Sequence, residues 1–217
     1  MTGTIGAIAL LAGSALPAAA FTPRGGETYL LPQSETINDD LYAAGQTLSL
    51  NGTMNGDVFA AGNTVLVNGP VKQDLAVGGA NVTVASEIGD DLRVGGGTVN
   101  VLKGVKGDTV MAGGNIVIGK EAVLERDLVV GAGSLVIDGT VKGNVRIGGG
   151  QVVINGTVEG FIEIDAEELR LGSEARLAKG LKYRSPNPAT MAEGSRIVGD
   201  IEYTKYEERR GPPHLGK

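Results

Sequence analysis

Apolar residues recur along this chain in short alternating triplets, and the triplets themselves come in pairs. One series runs Leu41-x-Ala43, Val58-x-Ala60, Leu75-x-Val77, Leu92-x-Val94, Thr109-x-Met111, Leu128-x-Val130 and Val145-x-Ile147. A second follows a few residues behind each, as Leu48-x-Leu50, Val65-x-Val67, Val82-x-Val84, Val99-x-Val101, Ile116-x-Ile118, Leu135-x-Ile137 and Val152-x-Ile154. A lone apolar position closes each unit, at Met54, Val71, Ile88, Val105, Val123, Val141 and Val158. Strict alternation marks a strand with one buried face, so each unit predicts three short strands. The residues inside the first triplets (Tyr42, Phe59, Ala76, Arg93, Val110, Val129, Arg146) obey no rule, as an outward column would.

Every unit opens on a polar marker: Asp40, Asp57, Asp74, Asp91, Asp108, Asp127 and Asn144, at intervals of 17, 17, 17, 17, 19 and 17 residues. Identical units in identical order cannot pair as hairpins. They pair in parallel, each strand with its equivalent one turn later, which predicts an all-β fold: a three-sided parallel β-helix, or β-solenoid. The 19-residue interval reads as a two-residue insertion at a corner around Lys120 to Arg126. The small-residue pairs at Ala44-Gly45, Gly78-Gly79 and Gly95-Gly96 read as corners needing positive φ or minimal side chains. Continuing the register through Phe161, Gly180 and Asp200 gives nine or ten coils.

The pattern divides the chain. Residues 1–20 carry an apolar run, Ile5 to Leu16, followed by Pro17-Ala18-Ala19-Ala20 before Phe21, which predicts a secretory signal peptide cleaved between Ala20 and Phe21. The positive start of such a signal is missing, since residues 1–4 hold no Lys or Arg. No later run reaches the length of a membrane span. Residues 21–37 read as a lead or cap, and 38–203 as the solenoid. Its coils degrade from about 161, with a loop at Ser185-Pro186-Asn187-Pro188, and 204–217 read as a disordered tail.

Composition narrows the function. A net charge of −6 argues against a nucleic-acid partner, and the absence of Cys removes disulfide and thiolate chemistry. The 36 Gly sit at fixed offsets beside Val, Ile and Leu, which excludes a collagen-like or disordered reading.

The phrases Gly56-Asp-Val-Phe-Ala-Ala-Gly-Asn-Thr-Val-Leu-Val-Asn-Gly69 and Gly143-Asn-Val-Arg-Ile-Gly-Gly-Gly-Gln-Val-Val-Ile-Asn-Gly-Thr-Val-Glu-Gly160 resemble bactofilins, the polymer-forming bacterial cytoskeletal family. The similarity covers residues 38 to about 160 and, more weakly, to about 203. It implies a right-handed three-sided β-helix that assembles end to end into nucleotide-independent, nonpolar filaments, often membrane-associated. Typical bactofilins are shorter and cytoplasmic. A chain with an export signal is more similar to the exported bactofilin-like proteins, which often carry transmembrane segments after the solenoid. With none here, the resemblance reads this chain as a truncated or membrane-free form.

Chemistry offers less. The Asp column is a candidate Ca²⁺ site, but one Asp per coil falls short of the six to eight oxygens a hard cation takes; corner residues accepting turn N–H groups explain it better. Glu163, Asp165, Glu167 and Glu168 form an acidic run of the kind carbohydrate-cleaving β-helices use, and also of the kind found on any solvated face. The single His, His214, lies in the Pro-rich tail, so neither a His general base nor a three-His zinc site is available. No catalytic residue, cofactor, metal or small-molecule substrate is expected.

What remains is assembly. A solenoid ends in unpaired strand edges that template another chain, so the expected partner is the protein itself. The contact is expected near Tyr29, Leu30 and Leu31 at one end and near Tyr183 or Tyr203 at the other. The expected location is the bacterial cell envelope with membrane or peptidoglycan contact, the alternative being a membrane-associated cytoplasmic polymer. The competing function is a monomeric surface rod that binds glycan or peptidoglycan through Tyr42 and Phe59 or Arg93 and Arg146.

Overall fold

Eleven strand layers stack in parallel register, about 17 residues apart, in a computed structural model that describes residues 24–206. The expected export leader with its expected Ala20–Phe21 cleavage point, and His214, lie outside the described residues. Layers 1 to 11 are built on the strands Arg24–Leu31, Leu41–Leu50, Val58–Val67, Leu75–Val84, Leu92–Val101, Thr109–Ile118, Leu128–Ile137, Val145–Ile154, Ile162–Leu171, Leu181–Ser185 and Ile201–Lys205. No helix occurs among the described residues, and every strand pair is parallel. At about 4.8 Å per layer the rod is roughly 50 Å long.

Both triplets of a unit lie on one ten-residue strand, bent at its middle. The bend shows in the register: Gly45 pairs with Gly62 and Thr47 with Thr64, while Gln46 drops out. The lone apolar positions build the third side as short pairs and single bridges, Met54 to Val71 to Ile88 to Val105 to Leu124. Five side chains per layer fill the interior; in layer 5 they are Leu92, Val94, Val99, Val101 and Val105, each at least 95% buried. Stacking like on like makes every layer the lid of the one before, which is why a single coil has no core of its own.

The structure departs from the sequence reading at several points. On the third side the inward residue beside the insertion is Leu124, fully buried, rather than Val123. The two extra residues place the inward position six residues after Ile118 instead of the usual four, at the second of two adjacent aliphatics. The layer beyond the expected ten is layer 1, Arg24–Leu31, which pairs with Ala43–Leu50 although no marker precedes it. At the other end the expected loop begins one residue later: Ser185 stays in the strand, buried, and Pro186 to Ala189 leaves the stack before Thr190–Met191 rejoins it.

The corner glycines are not where positive φ is used. That geometry occurs at Gly180, Gly194 and Gly199, in the irregular last layers. In the regular layers the two members of each small pair differ. A Cβ added to Gly45, Gly62, Gly79, Gly96 or Gly113 would stand 2.5–2.7 Å from the carbonyl oxygen of the layer below, so glycine there permits close stacking. At Gly78 and Gly95 the nearest atom would be 3.9 Å away, and at Gly131 and Gly148 nothing lies within 4 Å. Gly79→Ala should therefore destabilise the rod by about 1 kcal/mol, the low end for overpacking, because Ala132 and Ala166 show that the column yields a little. Gly78→Ala should instead be neutral or stabilising by up to about 1 kcal/mol. Thermal denaturation of both variants separates the two columns, and equal shifts would contradict the assignment.

Candidate functional site

The marker column is a hydrogen-bonded ladder. The backbone N–H of each marker donates to the side-chain oxygen of the marker one layer earlier. The chain runs from Asp57 onto Asp40 (3.0 Å) through Asp74, Asp91, Asp108 and Asp127 to Asn144 onto Asp127 (2.8 Å). It stops at Phe161, whose N–H donates to Asn144 (3.0 Å) but whose side chain has nothing to offer Gly180. Other corner turns are linked through side chains, the Asn68 amide donating to the Asn51 side-chain oxygen (2.7 Å) and the Asn155 amide to the Asp138 carboxylate (2.7 Å). The Asp residues thus satisfy corner N–H groups that strands cannot reach.

Asp74, Asp90 and Asp91 bring carboxylate oxygens within 4.8 Å of one another. A cation already engages two of the three: the Arg93 guanidinium lies 2.9 Å from Asp91 and 3.5 Å from Asp74. Arg126 holds Asp108 in the same manner at 3.2 Å. Three of the four carboxylates of the acidic run are similarly tied down, Glu167 being the exception. Glu163 meets Arg146 (3.2 Å) and Lys182 (3.6 Å), Asp165 meets Arg184 (3.0 Å) and Glu168 meets Arg170 (2.6 Å). Beside the insertion Lys103 donates to Glu121, a hydrogen bond that lowers the Glu121 pKa and raises that of Lys103; Glu125 raises Lys142 likewise. Both pairs are solvent-exposed, and what the Glu121 pair contributes is lost as pH falls through the lowered carboxyl value.

A groove of about 720 Å³ runs along the marker corner across layers 7 to 11. Phe161 sits in it 65% exposed, with the Lys179 ammonium 5.3 Å above its ring and Val129, Glu163 and Lys182 around it.

The two ends differ. In layer 1, Tyr29 and Leu31 occupy the inward positions, in register with Leu48 and Leu50, while Leu30 points out and is 59% exposed. Leu31 is fully buried and Tyr29 half-buried with an enclosed hydroxyl. In layer 11 the inward positions belong to Ile201 and Tyr203, in register with Leu181 and Tyr183. Ile201 is 48% exposed there, with Val198 beside it at 66%. Tyr183 lies one layer inside, 4% exposed, its ring stacked on Tyr203 at 4.9 Å and its hydroxyl accepting from the Ala189 N–H. The expected edge residue Tyr183 is therefore core, because layer 11 covers it, and the edge falls to Ile201 and Tyr203. Ile201 and Val198 were legible only once the register of the irregular last coils was known.

The chain matches no family model, no curated protein and no solved structure.

Proposed function

We propose that this protein is a non-enzymatic scaffold subunit that polymerises end to end, as the bactofilin resemblance of its repeat implies, at the bacterial cell envelope to which its apolar leader would direct it. The observation that carries the reading is the open core of layer 11. Ile201 presents an inward-facing side chain with no layer above it among the described residues, on a strand whose second edge pairs with no described residue. Another chain's terminal layer supplies both missing parts at once: apolar cover and backbone partners. Layer 1 offers a complementary edge in Arg24–Leu31. Enzymatic chemistry gains no support from ion-paired carboxylates and a hydrogen-bonded Asp ladder.

The test is concentration-dependent light scattering with electron microscopy. The protein should form threads, and Ile201→Asp should cut thread mass at least tenfold while leaving the far-ultraviolet circular dichroism unchanged, since only the last layer is touched. A rod that stays monomeric at high concentration overturns the reading.

A further inference from the structure

The first side of the solenoid carries a feature that neither folding nor end-to-end stacking requires. Two outward columns cover it, two residues or about 6.7 Å apart along each strand. The second of these columns is small in every layer from 2 to 8: alanine at Ala44, Ala61 and Ala112, glycine at Gly78, Gly95, Gly131 and Gly148. Nothing inside the chain demands this. A Cβ at the four glycines would meet open space or an atom 3.9 Å away, and none of them has positive φ. The neighbouring column stands proud of it. Tyr42 and Phe59 stack face to face at 4.9 Å, and Phe59, Val110 and Val129 are 41–46% exposed. Two members of that column are cations: Arg93 is drawn onto Asp74 and Asp91 at the corner, while Arg146 pairs with Glu163 one layer above it in the same column. The result is a ridge, apolar at Tyr42, Phe59, Val110 and Val129 and lowered at Ala76, beside a smooth trough.

We propose that this side seats a second copy of the chain, the two rods lying side by side and pointing the same way. Three properties select that occupant. The trough repeats every layer, and the body that matches such spacing along its whole length is another stack of the same layers. A two-fold axis along the rods reverses the strand direction of one face relative to the other, so each ridge enters the partner's trough; a two-fold across the rods would set ridge on ridge. The area also suffices. A face about 15 Å wide and seven layers, or about 34 Å, tall gives roughly 500 Å² per chain and 1,000 Å² per pair, at the threshold for specific association. An anionic lipid surface is a poor match, because both arginines are engaged with carboxylates. The ridge and trough give out above layer 8, where Glu163, Asp165, Lys182 and Arg184 form their own ion pairs. The pairing surface is independent of the open end at Ile201.

The Ile201→Asp protein, whose end is blocked, makes the measurement clean. In sedimentation analysis it should remain a dimer of rods, and adding Gly131→Lys or Val129→Lys should weaken dimerisation at least tenfold with the thermal midpoint unchanged. Thr83→Lys, on the second side, should leave the dimer intact. The chain has no Cys, so oxidising a mixture of Val110→Cys and Ala112→Cys copies should cross-link them, whereas Val110→Cys with Gly148→Cys should not. A monomeric end-blocked rod, or lysine variants that dimerise as well as their parent, overturns the proposal. So do unblocked threads one rod wide, which leave end-to-end assembly standing. Paired short rods without threads support side-by-side pairing and remove the end-to-end reading.

Discussion

Excising residues 74–90 should leave a folded protein one layer shorter. The cut removes one whole coil, joins Gln73 to Asp91, and puts Asp91 where Asp74 stood. Layer 3 then meets layer 5, and every column still matches: Val58 faces Leu92, Ala60 faces Val94, Val65 faces Val99 and Val67 faces Val101. The ladder closes too, since the Asp91 N–H reaches Asp57 as the Asp74 N–H did at 3.1 Å. Stability in such a stack is approximately a sum over layers and their nearest-neighbour interfaces, so one interior layer contributes an increment and no unique contact. Excising only 74–82 is a different matter. It removes the first side of layer 4 and leaves its remaining strand without a corner to enter from, so the layers on either side lose their common register. Circular dichroism and thermal denaturation should show a β spectrum and a cooperative melt for the long deletion and neither for the short one. Equal behaviour of the two would contradict the stack as described.

Thr109→Val should make the protein more stable. Thr109 occupies an inward position between Leu92 and Leu128, it is completely buried, and its hydroxyl has no hydrogen-bond partner. An unpaired buried hydroxyl costs about 1–3 kcal/mol, and valine keeps the branched shape while removing the polar atom. Its backbone bond, N–H to the Asp127 carbonyl at 2.9 Å, is unaffected. For a chain of this size about 1–3 kcal/mol corresponds to a thermal midpoint some 2–12 °C higher. A midpoint that stays or falls means that the hydroxyl is satisfied in solution.

Most of the fold was legible because it is periodic. Alternation named the inward residues on the first two sides, and the marker spacing named the corners, including the one that absorbs two extra residues. Three features were hidden for physical reasons. Layer 1 carries no marker, so Arg24–Leu31 reads as a lead segment until its pairing with layer 2 is seen. Val123 and Leu124 are equally aliphatic, and only the phase shift of the insertion decides which turns inward. Gly78 and Gly79 are identical in sequence yet opposite in meaning, since one faces open space and the other a carbonyl oxygen. The ends of the stack could be located from the repeat, but Tyr183 looked like an edge residue because the last coil is too irregular for its partner Tyr203 to be aligned by eye.

The direction of the ladders has a mechanical consequence. Bonds between layers lie along the rod, while the covalent chain winds across it. Bending or compressing the rod therefore loads many bonds together, and the stack is stiff. Tension applied at the two chain ends loads the terminal layer alone, and that layer peels off before the next is strained. Each peeled coil releases about 17 residues of slack, roughly 55 Å of extended chain, so the molecule would lengthen in equal steps and act as a shock absorber wherever it is anchored at both ends.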